Sequence, residues 1–529
     1  MAILISGIRI ALDQKEEDAL AKALRKLRVG RAQVRQAYVT KTSLDARRRD
    51  RISLVNTVCV ELFEGELEAV KTASDSSVVY REKKELSFPI GKEKLDAPIV
   101  IAGFGPAGMF AALVLAQRGY RPIVLERGAD VDRRVEAVER FWTGRGFDPA
   151  TNVQFGEGGA GTFSDGKLTT RISDPLCSIV LDEFVRHGAP EEIRKKAKPH
   201  IGTDRLRGIV KSIRQEIQTL GGQVRFDCQL ESIKVEGNRL RSVTAGSEEI
   251  PASALILAVG HSARDTFEML SSHPFTLQPK VFSVGARIEH LQSEIDRGLY
   301  GEHAGHPLLP KGEYQLSHRE GGRGVYTFCM CPGGFVVPSS SEEGTVVTNG
   351  MSEYARDGRN ANAALVVNVS PEDYGPHPLD GLRFQQRLER TAFAFAGKNY
   401  RAPAATVGRF LKGETGCDFG RVQPSYALGV APCDFDELFP PVVTRLMREG
   451  LVRFGRKLPG FDAQDALLTG PETRTSSPLR ILRGEDLMAV GMPDIYPCGE
   501  GAGYAGGIVS AAVDGIRAAR SLIARFQPD

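Results

Sequence analysis

The chain has 529 residues, 41% of them hydrophobic and 26% charged, and a formal net charge of +3. That length allows three or so domains and a sizeable core, and the composition is that of an ordinary globular protein. Eight cysteines without a C-x-x-C spacing exclude a disulfide framework and a zinc pattern, no uncharged apolar run is long enough to span a bilayer, and a charge this small says little about partners. The apolar stretch 1–12 has no basic flank and is broken by Arg9, so it does not read as a signal peptide, and a reducing, cytoplasmic setting is expected.

Residues 1–72 read as a small separate unit. Strands are expected over 3–10, 34–39 and 52–62, and helices over 16–27 and 64–73, with Ala19, Leu20, Ala23, Leu24 and Leu27 on one helical face. The order βαββα suggests a ferredoxin-like α+β domain. The unit is basic: between Lys22 and Arg51 there are eleven Lys or Arg against two acids, Asp45 and Asp50. Such a cluster can dock nucleic acid or an acidic protein, or be a solvated face, and Tyr38 is its one interleaved aromatic. Residues 74–96 read as a polar linker with room for one strand.

The stretch 97–127 organises the rest. The apolar strand Ile99–Ala102 runs into Gly103-Phe104-Gly105-Pro106-Ala107-Gly108, a helical pattern follows, and a second apolar strand, Ile123–Leu125, ends in Glu126 and Arg127. This is the dinucleotide fingerprint in its full strand–turn–helix–strand context. Gly103 permits the tight turn, Gly105 lets the backbone approach a pyrophosphate, and Gly108 lets the helix lie on the strand. The helix N-terminus offers free N–H groups to phosphates, and Glu126 is placed to accept hydrogen bonds from an adenosine ribose.

Residues 152–168 hold a run of small residues, including Gly159, Ala160, Gly161, Thr162 and Ser164, ahead of Lys167. A backbone with few Cβ atoms can come close to a ligand. The alternative is a flexible surface loop, against which Phe155, Phe163 and Leu168 are available as anchors. A helix is expected over 204–220 and strands from 224 and from Leu230, a further candidate cofactor contact. The buried strand beginning at Ala254 ends in Ala258-Val259-Gly260, followed by His261, which reads as an orienting histidine rather than a catalytic base.

Residues 271–480 change character. Strand candidates at 281–288, 324–331, 335–337, 345–348 and 364–369 are separated by helical patterns at 383–395 and 436–454, with no second fingerprint. This stretch reads as an inserted β-rich substrate domain. On its strand 324–331, a period of two puts Cys329 and Cys331 on one face. They are either two thiols near a cofactor, whose strained i,i+2 disulfide would be oxidising, or two small buried hydrophobes. Arg474 is a candidate anchor for a substrate carboxylate or half of a structural ion pair. Finally, Gly499-Glu500 follows a short strand, and Gly506, Gly507 and Ile508 open a helix whose small residues Ala511, Ala512, Gly515 and Ala518 suit close packing.

These segments together resemble the glutathione-reductase-type flavoproteins, and over the whole chain they are similar to bacterial FAD-dependent dehydrogenases known as NAD(FAD)-utilising. The resembling stretches include 156–168, 282–290, 328–336, 348–362, 472–481 and 497–515. The resemblance implies that the 103–108 turn holds the ADP half of FAD, that Ala258–Gly260 matches the turn near the flavin, and that Gly499-Glu500 matches the ribityl-binding pair, with Glu in place of Asp. It implies an α/β fold: a discontinuous Rossmann-like FAD-binding domain (96–270 and 481–529), an inserted β-rich α+β substrate domain (271–480) and the N-terminal α+β domain with its linker (1–95). The expected activity is FAD-dependent oxidoreduction of a small molecule by hydride transfer at flavin N5, with NAD(P)H as a transient reductant. The competing readings are an FAD-dependent enzyme that docks RNA through its basic N-terminal domain, and a flavin-binding protein without catalysis.

Overall fold

The computed structural model describes residues 2–82, 86–237 and 239–528, so part of the linker expected at 74–96 lies outside the described residues. The N-terminal unit is a four-stranded antiparallel sheet in the order Val34–Asp45, Ser53–Leu62, Ala2–Ala11, Val78–Arg81, with helices Glu16–Leu27 and Glu66–Ala73. The strand from the linker completes a βαββαβ ferredoxin-like unit. Helix Glu16–Leu27 has three acids in its first turn and Arg25 and Lys26 in its last, each favourable to the helix dipole, and it buries Ala19, Ala23 and Leu27 against Ile3, Ile5, Val58 and Val60. The unit is stitched to the rest of the chain by Thr42, whose N–H donates to Lys195 O at 2.7 Å and whose carbonyl accepts from Ala197 N–H at 2.8 Å.

The second sheet is parallel, in the order Ile495–Pro497, Ala254–Leu257, Ile99–Ala102, Ile123–Leu125, Gln223–Arg225. Four of its strands are fully buried because both faces are covered, and the edge strand Gln223–Arg225 carries the polar residues. Alternation divides each strand between two cores. Ile99, Ile101, Ala254 and Ile256 face the helices Pro106–Ala116, Thr203–Thr219 and Ile508–Arg525, while Val100, Ala102, Leu255 and Leu257 face the three-stranded meander Leu230–Glu236, Arg239–Ala245, Glu248–Pro251. The last helix presses on the first: a Cβ at Gly515 would stand 2.0 Å from Ala107 O.

The inserted part is a seven-stranded sheet in the order Ser317–Glu320, Arg323–Cys331, Asn360–Val369, Phe282–Leu291, Leu467–Glu472, Ala402–Thr406, Val430–Pro432. Helices Asp380–Phe395 and Pro441–Lys457 pack on it. The chain enters the insert through Leu277–Pro279 and leaves through Leu479–Ile481, and these segments pair antiparallel as a two-stranded neck.

The structure corrects several expected elements. The helix expected over 436–454 is two, Phe435–Leu438 and Pro441–Lys457. Pro440 and Pro441 offer no N–H, and they force Phe439 into extended backbone (φ −110°, ψ 154°). The strand expected over 345–348 is displaced to Thr348–Met351. Helices Val131–Trp142 and Leu176–Arg186 were not anticipated. Cys329 and Cys331 do not share a face by simple alternation: Cys329 has φ +44° and the register with Asn360–Val369 slips between Phe328 and Cys331, so the strand bulges there. No helix among the described residues is long and apolar enough to cross a membrane.

Candidate functional site

A cavity of about 1240 Å³ opens at the carboxyl ends of the parallel strands and is closed on its far side by the seven-stranded sheet. Crevices of this kind are where open α/β sheets bind ligands. Four turns from distant parts of the chain meet there: Gly103–Ala107, the 154–170 loop, Ala258–Ser262 and the 499–508 segment.

The first turn is built by contacts that only glycine allows. Gly103 has φ +98°, and a Cβ on it would lie 2.4 Å from Ala258 O. A Cβ on Gly108 would lie 2.0 Å from Gly103 O, so this glycine serves helix–strand packing and stands outside the cavity lining. Gly105 caps the helix Pro106–Ala116, and a Cβ there would meet only Gly159 Cα at 3.7 Å. Glu126 is 5% exposed and holds the turn from below: Oε2 accepts from Phe104 N–H at 2.8 Å, and Oε1 from Gly128 and Gly156 N–H at 3.0 and 2.9 Å. Most of its accepting capacity is therefore committed to backbone, although the side chain still borders the cavity. Arg127 makes a two-pronged pair with Asp265 and lies over the Phe155 ring.

The small-residue loop is a fixed structure. Arg134, fully buried on helix Val131–Trp142, donates Nε to Asn152 O (2.9 Å), Nη1 to Glu157 O (2.6 Å) and Gly159 O (3.0 Å), and Nη2 to Val153 O (2.9 Å). Phe155, Phe163 and Leu168 are buried as anchors. Gly159, Ala160, Gly161 and Ser164 line the cavity; Thr162 does not, being buried with its Oγ1 donating to Glu157 O. Lys167 lines the cavity as half of an ion pair with Asp165 (2.5 Å), and it also donates to Met330 O at 2.5 Å. Burial opposes the charge on Lys167, but the Asp165 carboxylate outweighs it and holds the ammonium above its ordinary range.

Leu230, Ala258, Val259, Gly260, His261, Gly499, Glu500, Gly506, Gly507 and Ile508 all line the same cavity. His261 is pushed down to about 3 by burial and by Arg474 and Arg264, which fixes a neutral imidazole; its Nε2 stands 4.0 Å from Glu500 Oε1. Burial raises Glu500 to about 7 against the opposing pull of Lys280. The positive end of helix Ile508–Arg525 opens on the cavity beside it.

On the inserted side, Cys329 and Arg474 reach the cavity and Cys331 does not. Arg474 borders the cavity, but its guanidinium is spent on Glu389, with Nη2 to Oε2 at 3.0 Å and Nε to Oε1 at 3.2 Å. Arg264 binds the same carboxylate at 2.8 and 2.9 Å. Burial would raise Glu389, yet the two guanidiniums hold it well below the usual carboxylate range. Of the two readings of Arg474, the structure gives the ion pair. Arg134 and Asp165 are supports of the site that sequence reasoning does not anticipate; a lone charged residue inside an apolar helical stripe, as Arg134 is between Val131 and Val138, is the available signal.

The residues present fit an extended dinucleotide. The glycine cradle leaves room beside Gly105, two helix N-termini, at Gly105 and at Gly507, face one cavity, and its volume of about 1240 Å³ is above the range of about 300–1,000 Å³ usual for one small ligand. The family described as "FAD-dependent protein, C-terminal domain-like" matches residues 281–475. An uncharacterised protein of Clostridium beijerinckii is 46% identical over 99% of both chains. The "FAD-dependent monooxygenase nodY2" of Hypoxylon pulicicidum is 28% identical over 34% of this chain and 40% of its own. Among solved structures, a geranylgeranyl bacteriochlorophyll reductase-like protein of Thermoplasma acidophilum aligns over 81% of this chain and 78% of its own, with 12% identity and a TM-score of 0.35. The glycine oxidase of Geobacillus kaustophilus aligns over 82% and 95%, with 11% identity and a TM-score of 0.35. The chain thus belongs to the same family as the Clostridium beijerinckii protein, and its residues 281–475 are those of an FAD-dependent protein's C-terminal domain.

Proposed function

We propose that this chain is an FAD-dependent oxidoreductase that moves a hydride to or from a small molecule held between the glycine turns and the inserted sheet. FAD, when bound, supplies two-electron chemistry that side chains cannot. The protein's part is to bind, orient and tune. Gly103–Ala107 and the N-terminus of helix Pro106–Ala116 would take the pyrophosphate, with Glu126 holding that turn in shape. Ala258–Gly260 and Gly499-Glu500 would flank the ribityl chain. The N-terminus of Ile508–Arg525 would favour negative charge developing beside it, by about 0.3–2 kcal/mol. Lys167, pinned between Asp165 and Met330 O, presents a fixed positive charge at the substrate side.

The observation that carries this reading is the convergence of residues 103–107 and 499–508, almost 400 positions apart, on one cavity. The resemblance to NAD(FAD)-utilising dehydrogenases supports a nicotinamide as the reductant, visiting the cavity rather than holding a site of its own. Reconstitution with FAD followed by anaerobic mixing with NADH or NADPH tests both parts. Bound yellow cofactor bleached by one of the nicotinamides is the expected result. A protein that stays colourless ends the proposal, and bleaching by neither nicotinamide removes the reductant.

A further inference from the structure

The strand Arg323–Cys331 ends in a feature that cofactor binding does not require. Cys329 adopts φ +44°, a region that residues with a Cβ seldom occupy, at the bulge beyond Phe328. The conformation is held from two sides: Arg287 Nη1 donates to Cys329 O at 2.8 Å, and Lys167 Nζ donates to Met330 O at 2.5 Å. The result is that Cys329 borders the cavity while Cys331 is fully buried outside it. Cys331 Sγ also lies 3.4 Å from Cys329 O, and neither cysteine is in a disulfide.

We propose that Cys329 and Cys331 form a dithiol–disulfide couple in the cavity wall, with Cys329 the attacking sulfur and Cys331 the resolving one, and with small disulfides as the substrate class. Two thiols two residues apart, one open to the cavity and one shielded, are the arrangement such exchange needs. The interaction between the two thiols lowers Cys329 and raises Cys331, so the proton stays on Cys331; Arg287 and Lys167 favour the Cys329 thiolate further, against burial and the charge of Asp165.

The chemistry balances without an unnamed reagent. The Cys329 thiolate attacks one sulfur of R–S–S–R, that bond breaks, R–S⁻ leaves, and a Cys329–S–S–R bond forms. Cys331 gives up its proton and attacks the Cys329 sulfur, the second R–S⁻ leaves, and a Cys329–Cys331 bond remains. The cysteines have lost two electrons and the substrate has gained two. Return to the dithiol takes two electrons and two protons, and for that step the inference rests on the proposed function, whose reduced FAD is the donor.

The test treats pre-reduced, desalted holoprotein with 5,5′-dithiobis(2-nitrobenzoate), followed by acid quench, alkylation and peptide mass mapping. The expected product in the wild type is one peptide with Cys329 bonded to Cys331, and no probe retained there. C331S should stop with the probe on Cys329, and C329S should leave Cys331 unmodified. Iodoacetamide should label Cys329 at a lower pH than it labels Cys177 and Cys228, whose thiols burial pushes up. Probe retained on wild-type Cys329, or labelling of Cys329 no faster than of the partly exposed Cys177 and Cys228, overturns the proposal. Anaerobic dithionite titration of the oxidised holoprotein gives a second readout: four electrons per chain are expected in the wild type and two in C331S, and two in both overturns it. The exchange with the probe needs no flavin, so a colourless chain that still forms the Cys329–Cys331 bond would sink the FAD reading alone.

Discussion

Glu126 Oε2 accepts the N–H of Phe104 at 2.8 Å, so the acid at the end of one strand fixes the glycine turn at the end of its neighbour. The same carboxylate takes Gly128 and Gly156 N–H, tying a third segment to the pair. Hydrogen bonds to a charged acceptor contribute about 1.5–3 kcal/mol each, and buried donors left unpaired cost more than the bonds were worth. E126A is therefore expected to lower stability by about 3 kcal/mol or more in urea unfolding and to release FAD. E126Q keeps one oxygen acceptor and turns its NH₂ toward the donors on the other side, Phe104 N–H or the Gly128 and Gly156 pair, and should fall between. Wild-type stability in E126A would show that the turn is held by other means.

Two glycines separate cavity space from packing space. A Cβ at Gly105 has an ordinary neighbour at 3.7 Å and room on the ligand side, whereas a Cβ at Gly515 would overlap Ala107 O at 2.0 Å. G105A is expected to keep the melting temperature and lose FAD affinity. G515A should lower the melting temperature by several degrees, because the helices Pro106–Ala116 and Ile508–Arg525 must move apart. Thermal melts of both variants with and without added FAD separate the effects. A G105A protein that binds FAD normally would remove that turn from the cofactor site.

How far the site was legible in the chain follows from the range of the interactions involved. The Gly103–Gly108 turn, the Ile99–Ala102 strand and the helix Glu16–Leu27 are specified by neighbours within a few residues, and they fold as their spacing says. The α/β fold class, with its discontinuous nucleotide domain and β-rich insert, follows instead from the family resemblance, because the pairing of Ile495–Pro497 with Ala254–Leu257 has no local signal. Arg134 was missed because its partners, the carbonyls of 152–159, are set by tertiary packing. Arg474 was left open because its partner Glu389 is 85 residues away. The cysteine pair was misread because a period of two presumes an unbroken strand, and the bulge at Cys329 depends on Arg287 and Lys167. The break at Pro440–Pro441, by contrast, is local and legible in the chain, because neither proline has an N–H and the residue before a proline is pushed out of the helix.

Glu389 is a buried carboxylate shared by Arg264 and Arg474, with all three side chains at most 5% exposed. Removing one member of such a triad leaves an uncompensated buried charge, at a cost of about 3–5 kcal/mol. E389Q is expected to lose that much in urea unfolding. Replacing all three together by apolar residues of similar size should cost less than E389Q alone. Were the triple replacement worse than the single one, the triad would be contributing net attraction beyond its own desolvation.

Glu500 supplies a pH dependence of determined sign. Its carboxyl is raised from 4.5 to about 7, chiefly by burial, so between those values the folded chain holds a proton that the unfolded chain has lost. Stability then falls as pH rises from about 4.5 to about 7 and is flat beyond, the reverse of a salt-bridged acid. E500Q removes this contribution: flavin-free wild type and variant should be equally stable near pH 4.5, and the variant should become the more stable of the two as pH approaches 7. Urea unfolding at pH 5, 6, 7 and 8 measures the difference. Parallel curves for the two proteins would mean that Glu500 is ionised in the folded chain well below pH 7, with Lys280 and the neighbouring helix N-terminus prevailing over burial.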